Sequence, residues 1–373
     1  MFLGTPIVFA QTSSGSSETT SAKIVRPVKS PEVAPDHRVT FRLRAPKATE
    51  VSVTGEFSRG SHLLTQDSSG VWSWTSDPLP PEIYGYTFAI DGVKTIDPSN
   101  ADVKTGSTAA TIQSLLTVTG DGPAFYDAIS VPHGEIRSEW YPSKSLHSIR
   151  RLTIYTPPGF DVSGRTKYPV MYLLHGANAD ETAWTRLGHV NLILDNLLAE
   201  QKIRPFLVVM PFGYGTPPGS EAFNGGFDGI TTTFASDFLG DVIPYVEARF
   251  PVLKDRDHRA LAGLSMGGVE SLTIGLNHLE LFSYVAGFSA AIRPADFDKD
   301  FGTFAAHPAN DNAKLHLLWL GVGREDGLFG ATDSFSKYLD TAQVKHQYKT
   351  VEGMHTWIVW RGFLRDFAPL LFQ

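Results

Sequence analysis

Beyond the middle of the chain, a serine with a glycine two residues away on each side separates a strand-like segment from a helical pattern. Residues 263–267 read Gly-Leu-Ser-Met-Gly and directly follow the segment 259–262, Arg-Ala-Leu-Ala. Glycines on both sides of the serine permit the strained strand-to-helix turn that lifts a serine hydroxyl above the edge of a parallel sheet. The following helix places its positive N-terminal end where an oxyanion would develop. The pattern predicts a strand, turn and helix within a parallel sheet, with Ser265 as the candidate nucleophile.

Apolar runs alternate with helical patterns through the second part of the chain, as in a parallel sheet covered by helices on both faces. Strands are predicted at 151–156, 170–174, 206–210, 259–262, 284–288, 315–320 and 347–351. Helices are predicted near 189–200, 234–249, 267–277, 332–341 and 362–371. Together with the serine turn, this order predicts an α/β-hydrolase fold with a mostly parallel central sheet over residues 146–373.

A serine nucleophile needs a base, which a downstream loop at the C-terminal edge of the sheet would supply. His355 follows the last predicted strand through Glu-Gly-Met and precedes Trp357. His307 and His316 are the competing candidates, but His307 lacks this position and His316 falls within a predicted strand. The order of the chain therefore favours His355 as the base.

The acid of such a triad comes between the nucleophile and the base, after the penultimate strand. Residues 321–327 read Gly-Val-Gly-Arg-Glu-Asp-Gly. Asp326 is preferred because the two glycines form the exit turn and its short carboxylate follows three residues after Gly323. Glu325 stays open as the alternative acid.

The early strand at 170–174 ends in His-Gly-Ala-Asn, residues 175–178. Enzymes of this kind place an oxyanion donor in such a glycine-containing turn, and a second donor directly after the nucleophile. We therefore assign the backbone N–H groups of Met266 and Ala177 to an oxyanion hole. The alternative is that the His-Gly pair serves the turn alone.

The segment 212–233 is rich in Gly, Pro and aromatic residues and is long for a simple connection. It follows a strand whose C-terminal end faces the site, so its side chains are expected to line a substrate cleft. A surface loop is the alternative. The assigned substrate contacts are Trp184, Phe223, Asn224, Phe227 and Trp357.

The first third of the chain has a different texture. Alternating apolar positions at 39–44 and 51–55, with further strands at 71–75, 84–90 and 114–118, predict a small all-β sandwich over 36–120. Residues 1–35 are rich in Ser, Thr, Gly and then Pro, which is typical of a flexible leader. The opening apolar residues predict signal cleavage after Ala10, with a plain apolar N-terminus as the alternative. Residues 121–145 are predicted to be a connector.

Charge and motif content exclude several classes of function. The 373 residues carry a net charge of −7 without a run of Lys or Arg, which does not suit phosphate neutralisation. The sequence contains no run of about 18 apolar residues, the length that a membrane-spanning helix needs. It also contains no His-Glu-x-x-His, no Cys and no Gly-x-x-x-x-Gly-Lys phosphate loop. We expect no nucleic acid, no membrane, no metal and no cofactor, whereas the oligomeric state stays open.

With these residues in hand, the chain resembles carbohydrate esterase family 1, the feruloyl and acetylxylan esterases related to esterase-D and enterochelin esterases. The matching segments are 131–135, 170–176, 205–211, 259–268, 353–357 and Trp360-Arg361. The resemblance implies a secreted serine esterase, extracellular or periplasmic, that acts on feruloylated or acetylated xylan. Release of ferulate from arabinoxylan is the leading interpretation, and an acetylxylan esterase or an acyltransferase is the alternative. A non-catalytic carbohydrate-binding protein is the remote alternative.

The front domain resembles the early-set immunoglobulin-like modules related to carbohydrate-binding module family 48, through segments 41–48, 70–75 and 86–92. Its alternating aromatics are candidates for sugar binding, with sandwich core as the alternative. These residues are Trp72, Trp74, Tyr84 and Tyr86. We expect this domain to pack on the catalytic domain and to influence polymer substrates more than the chemistry.

Overall fold

The computed structural model describes residues 28–105, 111–215 and 226–373, with side chains except at 226–231. The expected cleavage site at Ala10 lies outside the described residues. The same holds for Phe223, Asn224 and the side chain of Phe227.

Two antiparallel sheets form the front of the molecule, and we call residues 32–118 the front sandwich. Its strands are β1 (Glu32–Val33), β2 (Val39–Arg44), β3 (Val51–Gly55), β4 (Ser61–Leu63), β5 (Thr65–Gln66), β6 (Val71–Thr75), β7 (Glu82–Ile90), β8 (Val93–Thr95), β9 (Val103–Lys104) and β10 (Gln113–Val118). One sheet has the order β1-β2-β6-β5, and the other has the order β4-β3-β7-β10-β9, with β8 on β7. Because β1 pairs with β2, residues expected in the leader belong to this sheet.

Alternate side chains of both sheets enclose one apolar core, as the period-two pattern predicts. Trp72, Tyr84 and Tyr86 are all buried in it, and the Tyr86 hydroxyl donates to the Asp97 carboxylate at 2.8 Å. Trp74 is half-buried and stacks on His62 at 4.1 Å between ring centroids. The candidate sugar-binding aromatics are therefore core residues of the sandwich.

The second part of the chain is built on an eight-stranded sheet in the residues that the structure describes. Its strands are β11 (Glu135–Ser143), β12 (Ser148–Thr156), β13 (Val170–Leu174), β14 (Leu207–Pro211), β15 (Arg259–Leu264), β16 (Tyr284–Phe288), β17 (Leu317–Gly323) and β18 (Gln347–Val351). The order is β11-β12-β14-β13-β15-β16-β17-β18. β11 and β12 are antiparallel to their neighbours, and all other pairs are parallel.

One prediction about this sheet is wrong. The segment 121–145, predicted to be a connector, contains β11, which pairs with β12 along its whole length. Its side chains alternate between exposed and partly buried positions, so β11 lacks the continuous apolar run that marks the buried strands. The sheet therefore begins before residue 146.

Helices cover both faces of the sheet. They are α1 (Ala183–Arg186), α2 (Val190–Ala199), α3 (Gly226–Asp237), α4 (Ile243–Arg249), α5 (Met266–Asn277), α6 (Phe297–Ala305), α7 (Pro308–Lys314), α8 (Phe329–Thr341) and α9 (Trp357–Phe367). A π-helical turn, Phe238–Val242, joins α3 to α4. Separate apolar cores fill the two faces. None of the helices in the described part of the chain has the length and apolar character needed to cross a membrane.

The front sandwich and the large sheet meet at α9. Arg361 of α9 is 1% exposed and pairs with Glu82 of β7, while its Nη1 donates to the Leu187 carbonyl at 2.8 Å. Ile358, also on α9, packs against the sandwich core. As expected, the front sandwich packs on the catalytic part of the chain.

Candidate active site

Ser265 occupies a strained turn between β15 and α5. Its backbone has φ 54° and ψ −115°. Residues other than glycine rarely adopt this conformation, so the surrounding structure must stabilise it. A Cβ on Gly263 would lie 2.3 Å from the Gly267 carbonyl oxygen, and one on Gly267 would lie 2.4 Å from the His175 carbonyl oxygen. Only glycine fits at both positions, so the two glycines are what permits the turn.

The structure brings Ser265, His355 and Asp326 into one hydrogen-bonded chain. His355 Nε2 is 3.0 Å from Ser265 Oγ, and His355 Nδ1 is 2.8 Å from Asp326 Oδ2. Because an ionised carboxylate only accepts, Nδ1 carries the proton, and Nε2 is left to accept the proton of the serine hydroxyl. This is the arrangement of a nucleophile, its base and an orienting acid.

Asp326 is held in its ionised form. Burial opposes ionisation, but hydrogen bonds from His355, the Leu328 N–H and Ser289 outweigh it and hold the pKa of the Asp326 carboxyl below its ordinary value. The Leu328 N–H donates to Oδ1 at 2.8 Å. Ser289 in turn accepts a hydrogen bond from the Trp360 indole at 3.1 Å. The carboxylate therefore has a fixed orientation toward the imidazole.

The alternative residues point elsewhere. Glu325 pairs with Arg59 of the front sandwich at 2.9 Å, whereas the carboxylate that contacts His355 is that of Asp326. His316 lies just before β17 and contacts Asp257 at 3.1 Å, at the opposite end of the strand from Asp326. His307 is exposed at the start of α7. Within the part of the chain that the structure describes, none of the three forms a hydrogen bond or ion pair with Ser265.

The segment 175–178 lies directly against the nucleophile. A Cβ on Gly176 would be 3.2 Å from the Ser265 Cβ, which places the next peptide beside the serine. Met266, the first residue of α5, packs in a small apolar cluster with Ala177 and Tyr214. The two assigned oxyanion donors thus belong to segments that pack against each other next to the serine.

Buried polar groups lie behind this segment. His175 is 1% exposed, and burial lowers its pKa to about 4, so the ring is neutral at pH 7. Its Nδ1 is 2.8 Å from the Gly176 carbonyl, and its Nε2 accepts the Gly213 N–H at 2.9 Å. Glu270 of α5 is fully buried, and its carboxyl oxygens have no hydrogen-bond partner among the described residues. Burial raises the pKa of this carboxyl well above the usual range.

A cavity of about 760 Å³ opens above the serine and has two walls. The catalytic wall consists of Gly176, Ala177, Asn178, Ala179, Leu187, Leu264, Ser265, Met354, His355, Thr356, Trp357 and Trp360. The sandwich wall consists of Thr54, Gly55, Glu56, Ser58, Arg59, Gly60, Thr87, Lys94, Lys104, Thr105, Thr111 and Gln113. Sequence patterns do not mark the sandwich wall, because most of its residues are polar, exposed or partly exposed positions scattered over strands and loops of the front sandwich.

The two assigned tryptophans differ in position. Trp357 lies on the catalytic wall, as a substrate contact requires. Trp184 is 1% exposed, donates to the Leu174 carbonyl at 3.0 Å and packs edge-to-face on Trp357 at 5.1 Å. It therefore supports the wall from behind and does not contact a ligand in the cavity.

Comparison with known proteins agrees with this geometry. The Esterase family model matches residues 143–369, which contain the serine, the histidine and the aspartate. The chain belongs to the Esterase family. It is a serine esterase, a carboxylic ester hydrolase of the α/β-hydrolase fold.

Relatives of this esterase are themselves named as esterases. An endo-1,4-beta-xylanase/feruloyl esterase of Xylanibacter ruminicola is 31% identical over 352 residues, which is 92% of this chain and 46% of the relative. The chain thus spans about half the length of that relative. A solved ferulic acid esterase is 27% identical with a TM-score of 0.56, covering 64% of this chain and 97% of the other.

A third comparison extends the shared fold over the front sandwich. The enterobactin esterase of Shigella flexneri, solved in the presence of 2,3-di-hydroxy-N-benzoyl-glycine, is 19% identical with a TM-score of 0.68. It covers 89% of this esterase and 92% of its own chain. At this identity the likeness concerns the fold alone.

Proposed function

We propose that this esterase releases ferulate from feruloylated arabinoxylan, and that Ser265, His355 and Asp326 are its catalytic triad. Ser265 Oγ attacks the ester carbonyl carbon while His355 Nε2 takes the hydroxyl proton. The carbonyl oxygen becomes an oxyanion that accepts hydrogen bonds from the Met266 and Ala177 N–H groups.

Collapse of the tetrahedral intermediate breaks the bond to the sugar oxygen, which leaves with the proton from His355. Water then attacks the feruloyl-serine ester, giving its proton to His355 and its oxygen to ferulate. The proton returns to Ser265 Oγ as the second intermediate collapses. Asp326 stays ionised throughout and stabilises the imidazolium form of His355.

The observation that carries the substrate class is the chemical difference between the two cavity walls. The catalytic wall offers Leu187, Trp357 and Trp360, which suit a flat aromatic acyl group. The sandwich wall offers hydroxyl, amide and ammonium groups, which suit a sugar. A cavity of about 760 Å³ has room for an aromatic acyl group together with a sugar.

The relatives support the same substrate class. One is named a xylanase/feruloyl esterase and another a ferulic acid esterase. We further propose that the front sandwich is an immunoglobulin-like module related to carbohydrate-binding family 48, and that it contacts the carbohydrate through the sandwich wall. The buried aromatics of its core take no part in that contact.

Location follows from the substrate. Feruloylated arabinoxylan is a polymer too large to enter a cell, so we propose that the esterase is secreted and acts outside the cytoplasm. Fractionation of the producing cells should place the protein in the medium or the periplasm. Its recovery in the cytoplasm alone would contradict this proposal.

Purified esterase should be assayed on methyl ferulate, feruloylated arabinoxylan, 4-nitrophenyl acetate and acetylated xylan, with Ser265→Ala as the background control. We expect ferulate release from both feruloyl esters, with kcat/KM for methyl ferulate well above that for acetate release from xylan. Acetate release from acetylated xylan without ferulate release would instead make the protein an acetylxylan esterase.

A further inference from the structure

Tyr214 follows β14 and comes close to both assigned oxyanion donors. Its side chain is almost buried, at 6% exposure. Its hydroxyl oxygen accepts a hydrogen bond from the Asn178 N–H at 2.6 Å. Its ring belongs to the same small apolar cluster as Met266, against which Ala177 and Phe212 also pack. One side chain therefore contacts the segment of each donor.

The Asn178 backbone depends on outside support. Its φ of 62° lies in the left-handed region, which costs free energy for a residue other than glycine. The residue before it, Ala177, supplies the assigned donor N–H one peptide group earlier in the chain, so a change in the Asn178 backbone moves the neighbourhood of that donor. The hydrogen bond from the Asn178 N–H to the Tyr214 hydroxyl supplies this support.

The backbone of Tyr214 is itself fixed. Arg150 Nη2 donates to the Phe212 and Tyr214 carbonyl oxygens, both at 2.6 Å. Arg150 is buried and pairs with Asp237 at 3.1 Å between Nε and Oδ2. Between the two carbonyls, the Gly213 N–H donates to His175 Nε2 at 2.9 Å. Buried hydrogen bonds thus hold the backbone of the segment that carries Tyr214 in one position.

We infer that Tyr214 is a positioning residue that sets the oxyanion hole. This inference rests on the proposed mechanism, in which the Met266 and Ala177 N–H groups bind the oxyanion. Such donors act best at about 2.7–3.1 Å from the oxyanion, and loss of a whole donor costs about 10²–10³-fold in kcat. Loss of the Tyr214 hydroxyl displaces a donor without deleting it, so a loss of about tenfold in kcat is expected.

A second tyrosine supplies a matched control. Tyr168 is 7% exposed, and its hydroxyl accepts the Asp161 N–H at 3.0 Å in a loop that does not line the cavity. Tyr214→Phe and Tyr168→Phe each remove one buried hydroxyl that accepts one backbone N–H. They differ in whether the supported loop carries an oxyanion donor.

The test uses the full chain and 4-nitrophenyl acetate, which does not depend on the identity of the natural ester. For Tyr214→Phe we expect kcat to fall about tenfold with KM within twofold of wild type. Inhibition by an aryl trifluoromethyl ketone, whose adduct with Ser265 places an oxyanion in the hole, should weaken by a similar factor. Tyr168→Phe should change neither quantity.

Thermal unfolding of both variants checks that their stabilities are comparable. Should Tyr214→Phe fail to fold, 3,5-difluorotyrosine at position 214 keeps the shape and weakens the hydroxyl as an acceptor, and kcat should then fall about two- to threefold. Wild-type kcat and inhibition in either folded Tyr214 variant, or a change confined to KM, would overturn the inference. Failure of the wild type to acylate Ser265 would instead refute the proposed mechanism.

Discussion

The two walls of the cavity are built on opposite principles. On the catalytic wall the reacting groups are oriented by hydrogen bonds to groups behind them, as His355 is by the buried carboxylate of Asp326. On the sandwich wall most residues are exposed or partly exposed, and partly exposed Lys104 contacts Gln113 at 2.8 Å and Glu56 at 3.7 Å. Substitutions on the first wall should therefore change the chemistry, and substitutions on the second should change substrate preference.

The largest effect is expected at the nucleophile. Ser265→Ala should leave the fold intact and lower kcat on methyl ferulate by about 10⁴-fold or more, since only binding and the oxyanion hole would remain. His355→Ala should cost about as much, and the double variant little more, because the two residues act as a unit. Steady-state kinetics measure all three. Additive losses, or more than a few per cent of activity in Ser265→Ala, would assign the chemistry elsewhere.

Two neighbouring carboxylates allow a group that orients His355 to be compared with one that pairs with Arg59 of the sandwich wall. Asp326→Asn should lower kcat by about 10³–10⁴-fold, because an amide can stabilise the wrong tautomer of His355. Glu325→Gln, which loses only the exposed pair with Arg59, should stay within about threefold of wild type. Assays of both variants on methyl ferulate make the comparison. The reverse ranking would move the acid to Glu325.

On the sandwich wall, Lys104→Gln should affect the sugar and spare the acyl group. Exposed charged contacts contribute little, so kcat/KM for a feruloylated arabinoxylan oligosaccharide should fall about two- to fivefold. kcat/KM for methyl ferulate should not change. Lys47→Gln, an exposed lysine that does not line the cavity, is the control. Equal losses on both substrates would show that the sandwich wall contacts the acyl group.

The smallest effect concerns stability behind the catalytic wall. Burial raises the pKa of the Glu270 carboxyl, so the folded protein keeps a proton that the unfolded chain releases above about pH 4.5. Folding stability therefore falls as pH rises from that value toward the raised pKa, by at most about 1.4 kcal/mol per pH unit. Glu270→Gln removes this loss. The stability of the variant minus that of wild type should therefore be larger at pH 8 than at pH 5. Urea unfolding of both proteins at the two pH values measures this difference. A difference independent of pH would contradict the buried neutral carboxyl.

Much of the catalytic part could be predicted from local patterns. The strands at 170–174 and 284–288 have the predicted bounds, because buried parallel strands are apolar throughout and end at glycines or polar turns. The edge strand at 347–351, which is partly exposed, also has the predicted bounds. The strained turn at Ser265 was predictable because only glycine tolerates the close backbone contacts on either side. Chain order then sufficed to select His355 and Asp326, which the structure joins by hydrogen bonds.

Features that depend on two distant segments could not be predicted in this way. The sandwich wall arises where the outer face of the β3-β7-β10 sheet meets the serine edge, and nothing local in Thr54 or Thr87 marks that meeting. Tyr214 carries no motif, and its contact with Asn178 spans 36 residues of sequence. Tryptophan is a residue type often found in binding sites, yet the indole N–H of Trp184 donates to a strand carbonyl and its ring is buried.

The buried pair of Arg361 and Glu82 restricts how this protein could exchange parts with its relatives. Arg361 follows His355 by six positions, and its guanidinium lies 4.7 Å from the ring centroid of Tyr126 in the segment that joins the two regions. An arginine stays charged at all ordinary pH, and loss of its partner leaves a buried charge that costs about 3–5 kcal/mol. A chimera that takes its front module from another esterase should fold well only if the new module brings an acidic residue to position 82. Recombination would therefore favour inheritance of the front module, the joining segment and the last helix as one set.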